Sequence, residues 1–180
     1  MKIYLFLAEG FEEIEAVTPI DVFRRAGMEV TTVSVTGSNL VGGAHGIIIQ
    51  ADSLFENTEF KGDFILFLPG GMPGTANLGK HAGLTKLLKK HSDRNQPVAA
   101  ICAAPSIPGQ LGMLRDKEAI CYPGYEKFLY GASLSTADIV KSGSFYTAKA
   151  AGVALKFALK IVKDFEGQEK ADEIARAIFL

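Results

Sequence analysis

Two short apolar segments, each ending in an unusual residue pattern, most constrain how this chain can fold. Phe64–Gly71, FILFLPGG, ends in paired glycines, and Pro97–Ser106, PVAAICAAPS, passes through Cys102 into small helix-forming residues. Apolar runs bounded in this way, with a helical segment between them, are typical of buried parallel strands. The carboxyl ends of parallel strands meet at one edge of a sheet, where open α/β folds bind ligands. We therefore expect a thiol and an anion-binding backbone to lie together at that edge.

The first fifty residues show the same alternation of strand, helix and strand. The pattern predicts strands over Lys2–Ala8 and Glu29–Ser34, and between them a helix over Glu12–Ala26 that Pro19 should kink. The glycine-rich stretch Gly37–Gly46 then leads to three isoleucines. A chain that opens in this order predicts a mostly parallel sheet with helices on both faces.

The remaining segments extend this α/β pattern to the end of the chain. A group of leucines beginning at Leu84 indicates a helix, and a short strand is expected at Glu118–Tyr122. Ile139–Ala148 is typical of a β-hairpin, and an amphipathic helix follows over Ala154–Phe165. Because the sequence contains no repeat, low-complexity tract or linker, it predicts a single domain over residues 1–180.

The charge balance is nearly even, with 19 Lys and Arg against 20 Asp and Glu and a net charge of -1. No basic surface for nucleic acid or an anionic membrane is therefore expected. No segment approaches the roughly 20 apolar residues that cross a bilayer. Two cysteines without metal-ligand spacing, and no recognisable secretory signal, indicate a reducing cytoplasm. With this charge balance the expected partners are small molecules or proteins, and no cofactor is expected because the sequence contains no cofactor motif.

Cys102 is the candidate nucleophile because it lies at the predicted strand-to-helix elbow. A helix that follows directly would present its positive dipole end to the sulfur and favour the reactive thiolate. The backbone N–H groups of Gly71 and Ala103 could stabilise an oxyanion beside it. The alternative is an inert cysteine that packs as a small hydrophobe, and the elbow alone does not decide between the two.

Glu15 is the second candidate, because the start of the first helix should lie at the same edge of the sheet. A desolvated carboxyl group there would have a raised pKa and could donate a hydrogen bond to the sulfur, which would lower the thiol pKa. Its neighbours Glu12 and Glu13 are interpreted as ordinary acidic residues in a first helical turn. The same interpretation is the alternative for Glu15.

Three segments resemble, in order and spacing, the ThiJ/PfpI superfamily, in particular its branch of parkinsonism-associated deglycases and their bacterial relatives. The segments are AEGFEEIEAVTPIDVFRRAG, LPGGMPGTANL and AAICAAPS. The resemblance covers nearly the whole chain. It implies a flavodoxin-like three-layer sandwich, usually a homodimer, with Cys102 as the reactive cysteine and Glu15 as its carboxyl partner. It also implies oxyanion-hole amides from Gly71 and Ala103, and Arg25 near the dimer-proximal rim of the site.

The chain departs from that family at two positions near the cysteine. Many relatives carry a His-Pro pair where this chain has Tyr122 and Pro123. A phenol is a poor base at neutral pH, although it is a competent hydrogen-bond donor. The peptidase branch places histidine directly after the cysteine, whereas Ala103 stands here, so peptidase activity is not expected.

Neither the three histidines nor the second cysteine is expected to act as the base that the family histidine would provide. His81 and His91 are interpreted as solvated surface residues, and Cys121 as a buried hydrophobe on the strand that also carries Tyr122. His45 follows a glycine pair where family members often carry an arginine that reaches across the dimer. A role at the partner's site is therefore the alternative to an ordinary surface position for His45.

Two main functional hypotheses follow from these residues. The first is a cofactor-independent enzyme of the glyoxalase or deglycase type, in which the Cys102 thiolate adds to a small reactive aldehyde or glycated substrate and Glu15 shuttles the proton. The second is an oxidative-stress sensor or holdase chaperone that uses oxidation of Cys102, capped by protonated Glu15. A third, a degenerate relative that keeps only the fold, is disfavoured by the intact elbow and glutamate.

Overall fold

A seven-stranded sheet lies at the centre of the computed structural model, which describes residues 1–180. The strands are β1 (Lys2–Leu7), β2 (Glu29–Ser34), β3 (Leu40–Gly42), β4 (Ile48–Gln50), β5 (Ser53–Leu54), β6 (Phe64–Leu68), β7 (Val98–Ile101), β8 (Glu118–Ala119), β9 (Ser133–Leu134), β10 (Ile139–Ser142) and β11 (Phe145–Ala148). The helices are α1 (Glu13–Arg25), α2 (Gly74–Lys80), α3 (Ala82–Asp93), α4 (Ser106–Gln110), α5 (Ala154–Glu166) and α6 (Gln168–Ala177). None of these helices has the length and apolar character that a membrane span requires.

The central sheet has the strand order β10-β11-β7-β6-β1-β2-β5. β10 runs antiparallel to β11, and every other neighbouring pair is parallel. In register, Leu5 of β1 lies between Thr32 of β2 and Phe67 of β6, and Phe67 lies beside Ala99 of β7. This arrangement confirms the predicted mostly parallel sheet, and the hairpin predicted over Ile139–Ala148 forms one of its edges.

Helices cover both faces of the sheet, so its central strands are buried on each side. On one face, Phe67 packs against Phe23 of α1 and Phe157 of α5, and each of those ring centroids lies 5.8 Å from that of Phe67. On the other face, Leu66 shares a core with Leu88 of α3. Successive strand residues alternate between these two cores, as the period of a β-strand requires. The predicted three-layer α/β sandwich is confirmed.

Some elements differ from the sequence prediction. α2 was not predicted, because its sequence GTANLGK contains two glycines, which are poor helix formers. α1 is continuous through Pro19, and the kink expected there stays a prediction. The strand expected over Glu118–Tyr122 includes only the first two of those residues, so Cys121 and Tyr122 lie outside it.

Two histidines are more enclosed than the sequence indicated. His91 is buried and stacks on Phe64 with ring centroids 4.3 Å apart, and its Nε2 lies 3.1 Å from the Pro97 carbonyl oxygen. The prediction of a solvated helix end at His91 is therefore wrong. His81 is half-buried, and its Nδ1 accepts a hydrogen bond of 3.0 Å from the Leu84 N–H, which caps α3.

Candidate active site

Cys102 directly follows β7 and adopts a left-handed backbone conformation, with a φ of 64°. Its N–H donates to the Ala148 carbonyl of β11 at 2.9 Å, and its carbonyl accepts a hydrogen bond from the Tyr122 N–H at 2.7 Å. The residue is half-buried. Backbone hydrogen bonds on both sides therefore hold the thiol at the carboxyl edge of the sheet, as predicted.

The helix that was expected directly after Cys102 begins later. Residues 102–105 form a turn, and α4 starts at Ser106 and contains only five residues. Because the dipole effect is confined to the first turn of a helix, activation of the thiol by a helix N-terminus stays a prediction. The sulfur instead interacts with individual backbone N–H groups.

Those backbone N–H groups belong to Gly71 and Ala103, which approach the Cys102 sulfur from two different strand ends. Gly71 has a φ of 93°, and a Cβ atom there would clash with the Glu12 backbone nitrogen. A glycine is therefore required at this position, both for its backbone conformation and for the close approach of α1. The two amides that the sequence assigned to an oxyanion pocket do lie together at the thiol.

Glu15 is fully buried in the first turn of α1 and faces Cys102 across Gly70. Its Oε2 accepts a hydrogen bond from the Gly70 N–H at 2.9 Å. A Cβ atom on Gly70 would lie 2.5 Å from that oxygen and 2.7 Å from the Cβ atom of Cys102. The missing side chain of Gly70 is therefore what allows the carboxyl group and the thiol to meet.

The other carboxyl oxygen of Glu15, Oε1, is buried and has no hydrogen-bond partner of good geometry. Apart from Gly70, the polar groups beside the carboxyl are the Cys102 thiol and the Ala151 N–H. A buried acceptor without a partner is unfavourable, and a proton on the carboxyl that is donated to the sulfur relieves it. The burial of this oxygen thus favours the protonated form of Glu15.

Burial raises the pKa of Glu15 to about 7, and the nearby Glu12 carboxylate adds to the rise, while hydrogen bonding to Cys102 opposes it. Burial likewise raises the pKa of the Cys102 thiol to about 12, and the negative charge of Glu15 adds to that rise. The depressed thiol pKa that the sequence predicted is therefore not found while Glu15 is ionised. Two acids this close titrate as a pair, so the pair gains its first negative charge as the pH rises through about 7.

A small cleft of about 190 Å³ opens onto Cys102. Its other lining residues are Gly71, Met72, Ala103, Tyr122 and Tyr125. Tyr122, which replaces the family histidine, is 47% exposed, and its ring meets that of Tyr125 edge to face with centroids 6.5 Å apart. No imidazole lines the cleft, so Glu15 is the carboxyl acid available to exchange a proton with the thiol.

His45 lies outside this cleft and pairs with Glu13. The His45 N–H donates to Glu13 Oε1 at 2.6 Å, and its ring Nδ1 lies 2.7 Å from Oε2. Glu13 is buried, so it is not the ordinary first-turn acid that the sequence indicated. Burial acts to raise the pKa of Glu13, but the hydrogen bonds from His45 outweigh it and lower that pKa. The same hydrogen bond raises the pKa of His45.

Glu12, Glu13 and His45 also bring one possible metal-ligand atom each within 4.8 Å of one another. Oε2 of Glu12 accepts a hydrogen bond from the Glu15 N–H at 2.8 Å and caps α1, as expected for an acid at a helix start. Both oxygens of Glu13 are held by His45. Hydrogen bonds within the chain therefore account for this cluster.

Arg25 lies at the opposite end of α1 from Glu15. Ten residues of α-helix span roughly 15 Å, and Arg25 does not line the Cys102 cleft. Its exposed Nε donates to the Asp21 carboxylate at 2.7 Å. The structure therefore does not bring Arg25 to the thiol of its own chain, and a place at a dimer-proximal rim stays a prediction.

Gly70 is a positioning residue that the sequence analysis did not single out. The paired glycines after β6 predicted a close approach of backbone to a ligand, but the pattern does not say which glycine would hold Glu15. Tyr125 and Met72, which complete the cleft, carried no local signal at all, because they come from a turn and from the segment before α2.

Residues 1–164 match the model of the DJ-1/PfpI family. The chain belongs to the DJ-1/PfpI family. Within this family, the Parkinson disease protein 7 homolog of Danio rerio is 33% identical over 180 residues, which cover 98% of this chain and 95% of that protein. The protein DJ-1 homolog B of Arabidopsis thaliana is 35% identical over 176 residues, and the match covers 97% of this chain but only 40% of that longer protein.

Two further relatives in the DJ-1/PfpI family are named for an activity. A glutathione-independent glyoxalase of Caenorhabditis elegans is 31% identical and covers 96% of this chain and 92% of that protein. A deglycase of Pyrococcus abyssi is 28% identical and covers 91% of this chain and 98% of that protein. Among solved structures, oxidized Toxoplasma gondii DJ-1 has a TM-score of 0.91 and 32% identity, covering 99% of this chain and 97% of that chain. The flavodoxin-like sandwich implied by the family resemblance is confirmed.

Proposed function

We propose that this protein is a cysteine-dependent, cofactor-independent enzyme that acts on small reactive carbonyls, with Cys102 as nucleophile and Glu15 as proton shuttle. The observation that carries the proposal is the buried Glu15 carboxyl, held by the Gly70 N–H against the thiol. A carboxyl group in that place can receive the thiol proton and return it, as nucleophilic chemistry at a carbonyl requires. Relatives named as a glyoxalase and a deglycase support the same class of reaction.

In the first step the Cys102 sulfur adds to the aldehyde carbon of the substrate. The thiol proton moves to Glu15, the C–S bond forms, and the electron pair of the C=O double bond moves to oxygen. The N–H groups of Gly71 and Ala103 stabilise this oxyanion. The oxygen then takes the proton from Glu15, which gives a hemithioacetal and an ionised carboxylate.

In an α-oxoaldehyde the hemithioacetal carbon lies next to a ketone, which makes its hydrogen acidic. Glu15 removes that proton and returns it to the neighbouring carbon, and the hydroxyl proton of the hemithioacetal passes by way of Glu15 to the former ketone oxygen, so that a thioester of a hydroxy acid forms. The former aldehyde carbon is oxidised and the ketone carbon is reduced, so the electrons balance within the substrate. Water then hydrolyses the thioester and releases the hydroxy acid and the free thiol.

Glu15 carries every proton transfer in this scheme, because Tyr122 stands where many relatives have a histidine. The Tyr122 side chain lines the cleft and is able to donate a hydrogen bond to the substrate. We therefore expect Glu15→Gln, which keeps a donor but loses the exchangeable acid, to lower turnover by about 10²-fold or more. Peptidase chemistry is not proposed, since Ala103 follows the cysteine.

The test of the proposed function is the conversion of methylglyoxal to lactate. Turnover is measured for the wild type, for Cys102→Ser and for the matched control Cys121→Ala, whose thiol is buried in the core away from the cleft. Activity that is lost in Cys102→Ser and kept in Cys121→Ala supports the enzyme. Activity that survives in Cys102→Ser, or that the wild type lacks, overturns it.

A second candidate function is an oxidative-stress sensor or holdase chaperone. A sulfinate on Cys102 would meet the same partners as the oxyanion, namely the Gly71 and Ala103 N–H groups and protonated Glu15. The solved relative from Toxoplasma gondii is an oxidized DJ-1, which supports this alternative. Both cysteines are free, which fits a reducing compartment such as the cytoplasm. A stable oxygen adduct on Cys102 after mild peroxide, seen by mass spectrometry without methylglyoxal turnover, would favour the sensor.

We also propose that the protein is a homodimer. Exposed apolar side chains lie on α1 and on the β3–β4 hairpin; they are Ile14, Val17, Leu40, Ile47 and Ile48. The loop of this hairpin packs on the start of α1, because the Ala44 N–H donates to the Phe11 carbonyl at 2.8 Å. Contiguous exposed apolar surface is typical of a protein interface. His45 lies on the same loop, so it is placed to reach a partner's surface.

A further inference from the structure

A second, larger cavity of about 460 Å³ lies between α2, α4 and the turn at residues 126–128. Two residues, Met72 and Tyr125, line both this cavity and the cleft over Cys102. Its other apolar walls include Ala76, Ile107, Leu111 and Phe128. Its volume falls within the range of about 300 to 1,000 Å³ that is typical of small-molecule sites.

One buried polar group in the wall of this cavity has no partner within the chain. Thr75 is 4% exposed, and its hydroxyl group makes no hydrogen bond. A buried hydroxyl without a partner is unfavourable, and buried polar groups in proteins are nearly always satisfied. Thr75 is a lining residue of the cavity, so a rotation of its side chain about χ1 can turn the hydroxyl group toward a ligand there.

The cavity is joined to the reactive cleft through the backbone. The Thr75 N–H donates to the Gly71 carbonyl at 2.8 Å, and the N–H of the same Gly71 interacts with the Cys102 sulfur. On the other side, Ser106 begins α4 and also lines the cavity, three residues after Ala103. The larger cavity therefore begins next to the groups that surround the thiol.

We propose that this cavity binds the non-reacting part of the substrate, which we infer to be the aryl or branched-alkyl group of an α-oxoaldehyde. The Thr75 hydroxyl is the hydrogen-bond partner of a polar substituent on that group. Lys80, which is exposed, is the one charged residue of the lining, so the cavity suits an uncharged group. The inference rests on the proposed function, because it adds a subsite to the aldehyde chemistry at Cys102.

Gly79 offers a way to fill the cavity. It is exposed on α2, it lines the cavity, and a Cβ atom there would lie 3.6 Å from Cγ1 of Ile107, which is an ordinary contact. Gly79→Leu should fill part of the space, and Gly79→Ala is the matched control that adds a single carbon. We expect Gly79→Leu to lower the ratio of kcat/KM for phenylglyoxal to kcat/KM for methylglyoxal by about tenfold or more. A ratio that Gly79→Leu leaves at the wild-type value overturns the proposal.

Thr75→Val tests the role of the unpartnered hydroxyl, since it keeps the branched shape and removes the polar atom. We expect it to weaken the preference for 4-hydroxyphenylglyoxal over phenylglyoxal without lowering the thermal unfolding temperature. A hydroxyl with a purely structural role would give the reverse result, a lower unfolding temperature and an unchanged preference. That reverse result would overturn the assignment of Thr75 as a ligand-binding residue.

A binding measurement separates this proposal from the proposed function. Acetophenone, which has the ring but no aldehyde, is titrated into Cys102→Ser and into the same variant with Gly79→Leu, and backbone amide shifts are followed by NMR. Amide shifts on α2 and α4 that Gly79→Leu abolishes support ligand binding in the cavity, even if the protein converts no aldehyde. Failure of the wild type to convert methylglyoxal counts against the proposed function alone, whereas absence of acetophenone shifts on α2 and α4 overturns the subsite.

Discussion

The Gly70 N–H donates a 2.9 Å hydrogen bond to Oε2 of Glu15, the buried carboxyl beside the Cys102 thiol. This bond joins the segment after β6 to the first turn of α1. The Glu15 carboxyl is therefore positioned by a main-chain atom and not by a second side chain. Its position is insensitive to side-chain changes elsewhere, but it is sensitive to any bulk added at Gly70.

Gly70→Ala is expected to lower the free energy of unfolding by about 1–3 kcal/mol, the usual cost of overpacking. The new Cβ atom would lie 2.7 Å from Cβ of Cys102 and 3.0 Å from the Ile101 carbonyl oxygen. Urea unfolding measures the change. Gly152→Ala is the control, because a Cβ atom there has no other atom within 4 Å and should change stability by no more than about 0.5 kcal/mol. Equal losses in the two variants would contradict the close approach at Gly70.

Alkylation of Cys102 by iodoacetamide should accelerate as the pH rises through the titration of Glu15, whose pKa burial raises to about 7. Below that pH both groups are protonated, and above it the pair holds one charge that can move to the sulfur. Glu15→Gln has no titratable proton, so the step near pH 7 should disappear. Mass spectrometry in a Cys121→Ala background follows the rate. A step that survives in Glu15→Gln would assign the titration to another group.

Glu15 should also make the fold less stable as the pH rises. Burial raises its pKa from the ordinary 4.5 to about 7, so the folded protein holds this proton more tightly than the unfolded chain. The stability that this proton contributes is complete below pH 4.5 and is lost as the pH rises through 7. A shift of this size corresponds to about 3 kcal/mol. Relative to the wild type, Glu15→Gln should therefore become more stable between pH 5 and pH 8 by up to that amount in urea unfolding. A pH-independent difference would argue against a buried acid at this position.

The apolar side chains on α1 and the β3–β4 hairpin should form a homodimer interface. We expect Ile48→Asp, at a residue that is 66% exposed in the monomer, to convert the dimer to a monomer, because it would bury an unpaired charge. Leu134→Asp is the matched control, since Leu134 is 57% exposed on β9, outside this surface. Light scattering at micromolar concentration decides the outcome. A dimer that persists in Ile48→Asp would place the interface elsewhere, and a monomeric wild type would remove it.

Glu13→Gln should shift the titration of His45 to lower pH, because the hydrogen bond to the Glu13 carboxylate raises the pKa of His45. The stability contributed by this protonated imidazole is present below its ordinary value of 6.5 and is lost as the pH rises through the folded value. NMR of the ring protons gives the titration, with His91 on α3 as the internal reference. An unshifted His45 in the variant would mean that the pair does not form in solution.

The features that the sequence predicted well are those with local patterns. The alternation of apolar runs and helical segments identifies the parallel sheet, and the small residues around Cys102 identify the end of β7. Glu15 could be placed near the thiol because the starts of helices and the ends of strands share one edge of such a sheet. The family resemblance implied the same pairing of these two residues.

The features that the sequence did not predict depend on contacts between distant segments. His91 is polar and lies at a helix end, and only the approach of Phe64 and Pro97 encloses it. Glu13 is buried because a loop more than thirty residues away supplies His45. The rise in the Cys102 pKa follows from desolvation and from the charge of Glu15, neither of which local sequence reports.

The left-handed backbone at Cys102 lowers the stability of the fold at the residue that carries the thiol. Backbone in this region costs a non-glycine residue about 1 kcal/mol or more, and a glycine there would relieve the strain. The same exchange would remove the sulfur. The sulfur is therefore held at this edge of the sheet in a backbone conformation that a glycine would adopt with less strain.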